Sequence, residues 1–148
     1  MGLQCTVVAA RWHPTRMARL IAGAQRAAVE VGARCRIVRV TGAFELPVVC
    51  QRAAAVSDVV IALGIVVRGQ TPHFDYVCQG VTSGLMAVGL STGVPIGFGV
   101  LTVDTLAQAD DRCGGPGAVE DKGYDATCAA FESFTALASL AAAESHST

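Results

Sequence analysis

The chain has 148 residues, about one domain's worth, with 52% of them hydrophobic and 16% charged. The formal net charge of −1 excludes a general electrostatic pull towards nucleic acid or acidic membranes. So little charge on so short a chain implies apolar surface hidden in an oligomer.

Cys5–Ala10 reads as a first strand, and Arg11-Trp12-His13 as the loop after it. Pro14-Thr15 starts a helix whose apolar stripe is Met17, Leu20, Ile21, Ala24, Ala28 and Val31, and Gly32 ends it. Trp12 is the only tryptophan, at a strand's carboxyl end. A ring wall for a flat ligand is one reading; a surface aromatic or interface plug is the other. Arg36–Val40 alternates polar and apolar, which suits a strand near the sheet edge. Thr41–Pro47 follows, then a helix carrying Val48, Val49, Gln51, Ala53 and Ala54. Gly42-Ala43 lets backbone approach a ligand closely. Glu45 serves equally as a ligand group or as a complement to the helix dipole.

Val59–Val67 is nearly all apolar and rich in β-branched residues, as in a strand buried on both faces of a parallel sheet. Arg68-Gly69-Gln70-Thr71 then leaves the sheet at the strand's carboxyl end. Thr71 suits a helix cap and Pro72 the first helical position, with His73, Phe74, Asp75 and Tyr76 in the first turn. Free N–H groups at such a helix start favour an anion such as phosphate. A histidine there has few packing reasons to exist, and imidazoles ordinarily titrate near neutrality.

The helix from His73 is expected to run to about Leu90, with Val77, Val81, Leu85, Val88 and Leu90 as apolar contacts. Gly80, Gly84 and Gly89 interrupt it at a cost in propensity, for which close helix packing is one reason. Val94–Thr102 is the fourth strand, with Phe98 between Gly97 and Gly99. That ring either projects past bare backbone towards a neighbour's pocket or is an ordinary core phenylalanine. Asp104-Thr105 caps a short helix, Leu106–Arg112, which Gly114-Gly115-Pro116-Gly117 breaks. Glu120–Gly123 leads into a last helix with Tyr124, Cys128, Phe131 and Leu137-Ala138, and Ala141–Thr148 is expected to fray.

The order β-α-β-α-β-α-β-α-α predicts an α/β fold of the flavodoxin-like, doubly wound kind. It has a four-stranded parallel sheet with helices on both faces, in one domain over 1–148. The six cysteines form no CxxC pair and the three histidines show no ligand spacing. The thiols read as reduced and cytosolic, mostly small core residues. No basic-then-apolar leader opens the chain and no apolar run reaches membrane-spanning length, so a soluble cytoplasmic protein is expected. Dinucleotide GxGxxG, P-loop and GxSxG motifs are all missing, as is an acidic cluster for Mg²⁺. The strand-end loops bearing Trp12, Ala43-Phe44-Glu45, Arg68–His73 and Phe98 remain, and the fold is expected to bring them to one edge.

RGQTPHFDYV resembles the signature of the lumazine synthases. Four further segments stand in that family's order: ARWH, TGAFELPVV, PIGFGVLTVDTLAQA, and DKG before the last helix. The resemblance covers about Val7 to Ala138. It implies condensation of 5-amino-6-ribitylaminopyrimidinedione with 3,4-dihydroxy-2-butanone 4-phosphate to 6,7-dimethyl-8-ribityllumazine, in riboflavin biosynthesis. Imine formation, phosphate loss and ring closure need positioning and proton traffic, so no metal and no cofactor are expected. The resemblance assigns Trp12 to stack on the pyrimidinedione, where many members have Phe. Ala43, Phe44 and Glu45 would hold the ribityl chain, and the backbone of Val66 and Val67 would meet the pyrimidine edge. Gln70 and Thr71 would bind phosphate and His73 would shuttle protons. Phe98 would come from the adjacent subunit, Arg112 would grip the phosphate, and Lys122 would line the same site. His13 stands where Asn is frequent.

The family assembles as pentamers or as sixty-subunit shells. The turn CGGPGAVED is two residues longer than in many members, as in pentameric ones, and the arm Met1–Gln4 is short. A homopentamer with active sites at subunit interfaces is therefore expected, acting on small molecules and meeting neither nucleic acid nor membrane. The alternatives are a lumazine- or flavin-binding paralogue without turnover, a shell protein with a relict site, and an enzyme condensing a related amine.

Overall fold

The structure, a computed structural model, describes residues 2–147. Met1 of the short arm and Thr148 of the expected frayed end lie outside the described residues. Four strands, β1 (Gln4–Ala10), β2 (Arg34–Val40), β3 (Val59–Val67) and β4 (Ile96–Val103), form one parallel sheet in the order β2-β1-β3-β4. Five helices connect and flank them: α1 (Pro14–Glu30), α2 (Leu46–Ala54), α3 (His73–Thr92), α4 (Leu106–Arg112) and α5 (Lys122–Ser145). This is the expected doubly wound α/β arrangement, and β2 lies at an edge as its alternation suggested.

The period of two along each strand splits the core between the faces. Val7, Ala9, Ile61 and Leu63 pack with Met17 and Leu20 of α1 and Phe131 of α5. Val8, Ala10, Val60 and Ala62 pack with Leu46 and Cys50 of α2 and Val81 and Leu85 of α3. β3 is buried on both faces from Val59 to Ile65, which is why its sequence is nearly continuous in apolar residues. Each such fully buried aliphatic side chain contributes about 1.5–3 kcal/mol.

Some boundaries and burials differ from the sequence reading. The stripe of α1 ends at Ala28, and Val31, past the helix end, is exposed. Leu90 is 79% exposed, because α3 has turned its apolar face away by that residue; Gly93, at φ 70°, caps this helix. α3 begins one residue later than expected, with Pro72 as its cap and the Thr71 hydroxyl accepting from the His73 N–H at 3.4 Å. α5 does not fray at Ala141 but continues to Ser145, since its alanines carry high helix propensity. By length and composition alone α5 is apolar enough to cross a membrane, a segment the sequence reading did not expect. Its apolarity comes largely from alanine, and Ala126, Thr127, Ala130 and Phe131 are buried in the sandwich. Of the six free cysteines only Cys5, Cys50 and Cys113 are buried, and burial pushes the Cys50 thiol up to about 12. Cys35 is exposed because it lies on the edge strand, beside Cys5 in register.

The helix glycines have steric reasons. A Cβ on Gly84 would meet Pro47 of α2 at 2.8 Å, and one on Gly80 would meet the Phe44 ring at 3.2 Å. Gly23 and Gly123 serve the crossing of α1 and α5, where a Cβ on Gly123 would strike the Leu20 carbonyl oxygen.

Candidate active site

β1 leads into β2 in one direction along the sheet and β3 into β4 in the other, so the crevice lies between β1 and β3. A cavity of about 660 Å³ opens there at the strands' carboxyl ends. Its walls bring together most of the residues singled out in the sequence: Trp12, Ala43-Phe44-Glu45, Val66-Val67, Thr71 and His73.

Each wall has a local cause. After β1 the Arg11 N–H donates to Val40 and Thr41 carbonyls at 2.9 and 3.2 Å. The Arg39 guanidinium donates to the Ala9 and Ala10 carbonyls, each at 3.2 Å. These bonds fix the strand end just before Trp12. His13 then takes a left-handed conformation, φ 62° and ψ 62°, and its carbonyl accepts the first bond of α1 from Met17. Such a backbone is rare for histidine and more comfortable for asparagine. The kink turns Trp12 out, 65% exposed, with its ring edge against Gly42.

After β2 the chain makes a tight 3₁₀ turn, Ala43–Glu45, closed by the Glu45 N–H on the Gly42 carbonyl at 3.3 Å. Glu45 therefore precedes α2 rather than sitting in its first turn, and caps it with no side-chain hydrogen bond. Its exposed carboxylate has no hydrogen-bond or ion-pair partner among the described residues. Phe44 is 66% exposed, seated on bare Gly80. After β3 the exposed loop Gly69–Pro72 leads into α3, and His73 is exposed at its start.

The sequence reading missed several cavity residues. Tyr76, one helical turn past His73, adds a third open aromatic ring, 72% exposed; its i+3 spacing from His73 was the available signal. His13 also lines the cavity, and the sequence reading gave it no role.

Four of the expected site residues do not line this cavity: Gln70, Phe98, Arg112 and Lys122. The expectation that Phe98 shares an edge with the other loops is corrected. It lies opposite Ala62 in mid-strand on β4, 47% exposed, away from the strand ends. It is also not a core phenylalanine, because Gly97 and Gly99 take the inward positions. The Arg112 guanidinium donates to the Gln108 carbonyl at 2.9 Å, and Lys122 pairs with Glu120 at 3.1 Å. A bridge between Cys113 and Asp121 closes the Gly-rich turn between them, so Arg112 and Lys122 leave from the same end of it.

The cavity's electrostatics follow. Among the described residues no arginine or lysine lines it. Arg68, the nearest in sequence, is held by Asp104 at 2.7 Å and Asp75 at 3.4 Å. The Asp104 bond, with both carboxylates, raises the Arg68 pKa further. The cavity thus offers rings, one carboxylate, two imidazoles and a helix start, but no arginine or lysine of its own among the described residues. No group of metal-ligating side chains occurs among the described residues.

Comparison with known proteins agrees with this reading. The family model described as 6,7-dimethyl-8-ribityllumazine synthase matches residues 2–138. The chain is 58% identical to the 6,7-dimethyl-8-ribityllumazine synthase of Micrococcus luteus, over 87% of this chain and 82% of that one. It is 56% identical to that of Kineococcus radiotolerans, over 95% and 88%. It is 55% identical to that of Frankia casuarinae, over 94% and 88%. The chain belongs to the 6,7-dimethyl-8-ribityllumazine synthase family, transferases of riboflavin biosynthesis.

Proposed function

We propose that the chain, acting as one domain, condenses 5-amino-6-ribitylaminopyrimidinedione with 3,4-dihydroxy-2-butanone 4-phosphate, releasing phosphate and water. The observation that carries this reading is the strand-end cavity, where three aromatic rings, a free carboxylate and an imidazole at a helix start meet. Trp12 stacks on the pyrimidinedione. Ala43, Phe44 and Glu45 hold the ribityl chain, Glu45 accepting hydroxyl hydrogen bonds. Val66 and Val67 present backbone to the ring edge.

The phosphate sits over Gln70 and Thr71 at the start of α3, where unpaired N–H groups favour an anion. The amine attacks the ketone, water leaves the carbinolamine, phosphate departs, and the second ring closes with loss of another water. His73 carries protons between these steps. Positioning supplies the rest of the acceleration.

A phosphate needs a counter-charge that this cavity does not own. Arg112, Lys122 and Phe98 lie outside their own chain's cavity. They complete the site of an adjacent copy, with active sites at subunit interfaces. Exposed Val48, Met86 and Leu90 supply apolar surface for such contacts. The longer Gly/Pro-rich turn supports a homopentamer, and sedimentation of purified protein should give a five-chain species rather than a megadalton shell. Six free thiols suit the reducing cytoplasm.

Purified protein given both substrates should form the fluorescent lumazine. His73→Ala should lower kcat on the order of 10²-fold while changing KM little, because the imidazole moves protons rather than holding substrate. A folded oligomer that binds the pyrimidinedione without turnover would instead be a binding paralogue.

A further inference from the structure

We propose that Arg68 is a positioning residue, which sets the anion loop and His73 by clamping the end of β3 to the start of α3 and the end of β4. The inference rests on the function proposed above for that loop.

Gly69 and Gln70 have no hydrogen bonds of their own among the described residues, and a Cβ on Gly69 would meet nothing within 4 Å. The only ties within the loop and helix start are the long Thr71–His73 bond and the Asp75 N–H on the Pro72 carbonyl at 3.0 Å. Arg68 supplies what the loop lacks. Its backbone N–H donates to the Val103 carbonyl at 2.9 Å. Its Nε donates to Asp104 Oδ1 at 2.7 Å, and Nη1 to Asp75 Oδ1 at 3.4 Å. The guanidinium also lies over the Phe74 ring, 4.5 Å from its centroid, and Phe74 is buried. One planar group thus reaches both residues that follow His73 and the first residue after β4. A lysine has no fork to do so.

The same contacts argue against Arg68 as the phosphate ligand. One guanidinium between two carboxylates leaves a local charge of −1. An anion would have to displace Asp104 or Asp75 to reach it. The two roles therefore predict opposite signs for one substitution. Asp104→Asn weakens the clamp, but it would free a phosphate-binding arginine.

Three measurements on full-length oligomer decide it: amide exchange over residues 69–77, inhibition by inorganic phosphate, and steady-state kinetics. Arg68→Lys and Asp104→Asn should each speed exchange about tenfold, lower kcat about tenfold and weaken phosphate inhibition. Half-exposed Arg68 and exposed Asp104 leave the core intact, and unchanged thermal unfolding checks this. Unchanged exchange in both variants, or tighter phosphate binding by Asp104→Asn, would overturn the assignment. The exchange measurement needs no substrate. It decides the clamp even if the wild type made no lumazine, which would sink the proposed function alone.

Discussion

Arg112→Ala is expected to lower kcat/KM for the phosphorylated ketone by about 10- to 150-fold, mostly through KM, while binding of the pyrimidinedione is nearly unchanged. A hydrogen bond to a charged group is worth about 1.5–3 kcal/mol, which sets that range. Within its own chain this guanidinium does little for the fold: one bond to the Gln108 carbonyl, a single turn back on α4. The variant should therefore fold and assemble. Because Arg112 does not line its own cavity, the loss should be transferable between chains. His73→Ala and Arg112→Ala proteins, each impaired when the phosphorylated ketone is held below its KM, should recover activity when unfolded and refolded together. Mixed oligomers then contain some sites with both groups intact. No recovery from well-mixed oligomers would show that both groups serve one chain's site. Unchanged use of the phosphorylated substrate by Arg112→Ala would remove Arg112 from the site altogether.

Gly123→Ala should be the most damaging single methyl group on the backbone. Gly123 is buried in the first turn of α5, and the atom its Cβ would strike is the Leu20 carbonyl oxygen of α1. That oxygen belongs to a helical backbone and cannot swing aside as a side chain could. Gly23 faces the same crossing, where a Cβ would meet the Tyr124 nitrogen at 2.9 Å. Separating the helices would open the face built on fully buried Met17 and Leu20. Overpacking costs about 1–3 kcal/mol and the rigid obstacle puts this case at the top, about 3 kcal/mol. For a chain this long that is a fall in melting temperature of about 6–12 °C at fixed protein concentration. Gly69→Ala is the control, since a methyl group there meets nothing within 4 Å. A melt of Gly123→Ala within a degree of wild type would mean that α5 slides along α1 without penalty.

The fold was legible because each strand carried its environment in its composition. β3, buried on both faces, reads as VVIALGIVV, and β2, at the edge, alternates with arginines. The strand-end site was legible for a related reason: polar and aromatic residues appear abruptly where apolar runs stop. Tyr76 escaped because its signal is an angle around α3 rather than a position at a strand end. The role proposed for Arg68 escaped because its partners Asp75 and Asp104 are 7 and 36 residues away, the first brought near by the start of α3 and the second by the β3–β4 register. The length of α5 was misjudged because frayed tails and alanine-rich helices share small residues. Arg112, Lys122 and Phe98 lie away from the cavity, and the sharing of sites between copies proposed above would account for it, since a sequence lists what a chain contributes without saying to which copy.

The glycines beside Phe98 have a bearing on how this enzyme family can change. A Cβ on Gly97 would meet the Ala126 carbonyl oxygen at 2.7 Å, and one on Gly99 would strike Leu63. These two positions accept nothing larger, because α5 and β3 lie directly on them. Position 98 between them faces outward and takes no part in that packing. Fold stability is thereby carried by residues 97 and 99, leaving 98 open to variation. Exchanging the ring for another aromatic or a polar group should alter what it touches without taxing the sheet beneath. Residue 98, 47% exposed, is thus the one position of this Gly-Phe-Gly run where a side chain can change without striking α5 or β3; if Phe98 serves the ligand site proposed above, that freedom would be a route to new ligand preference.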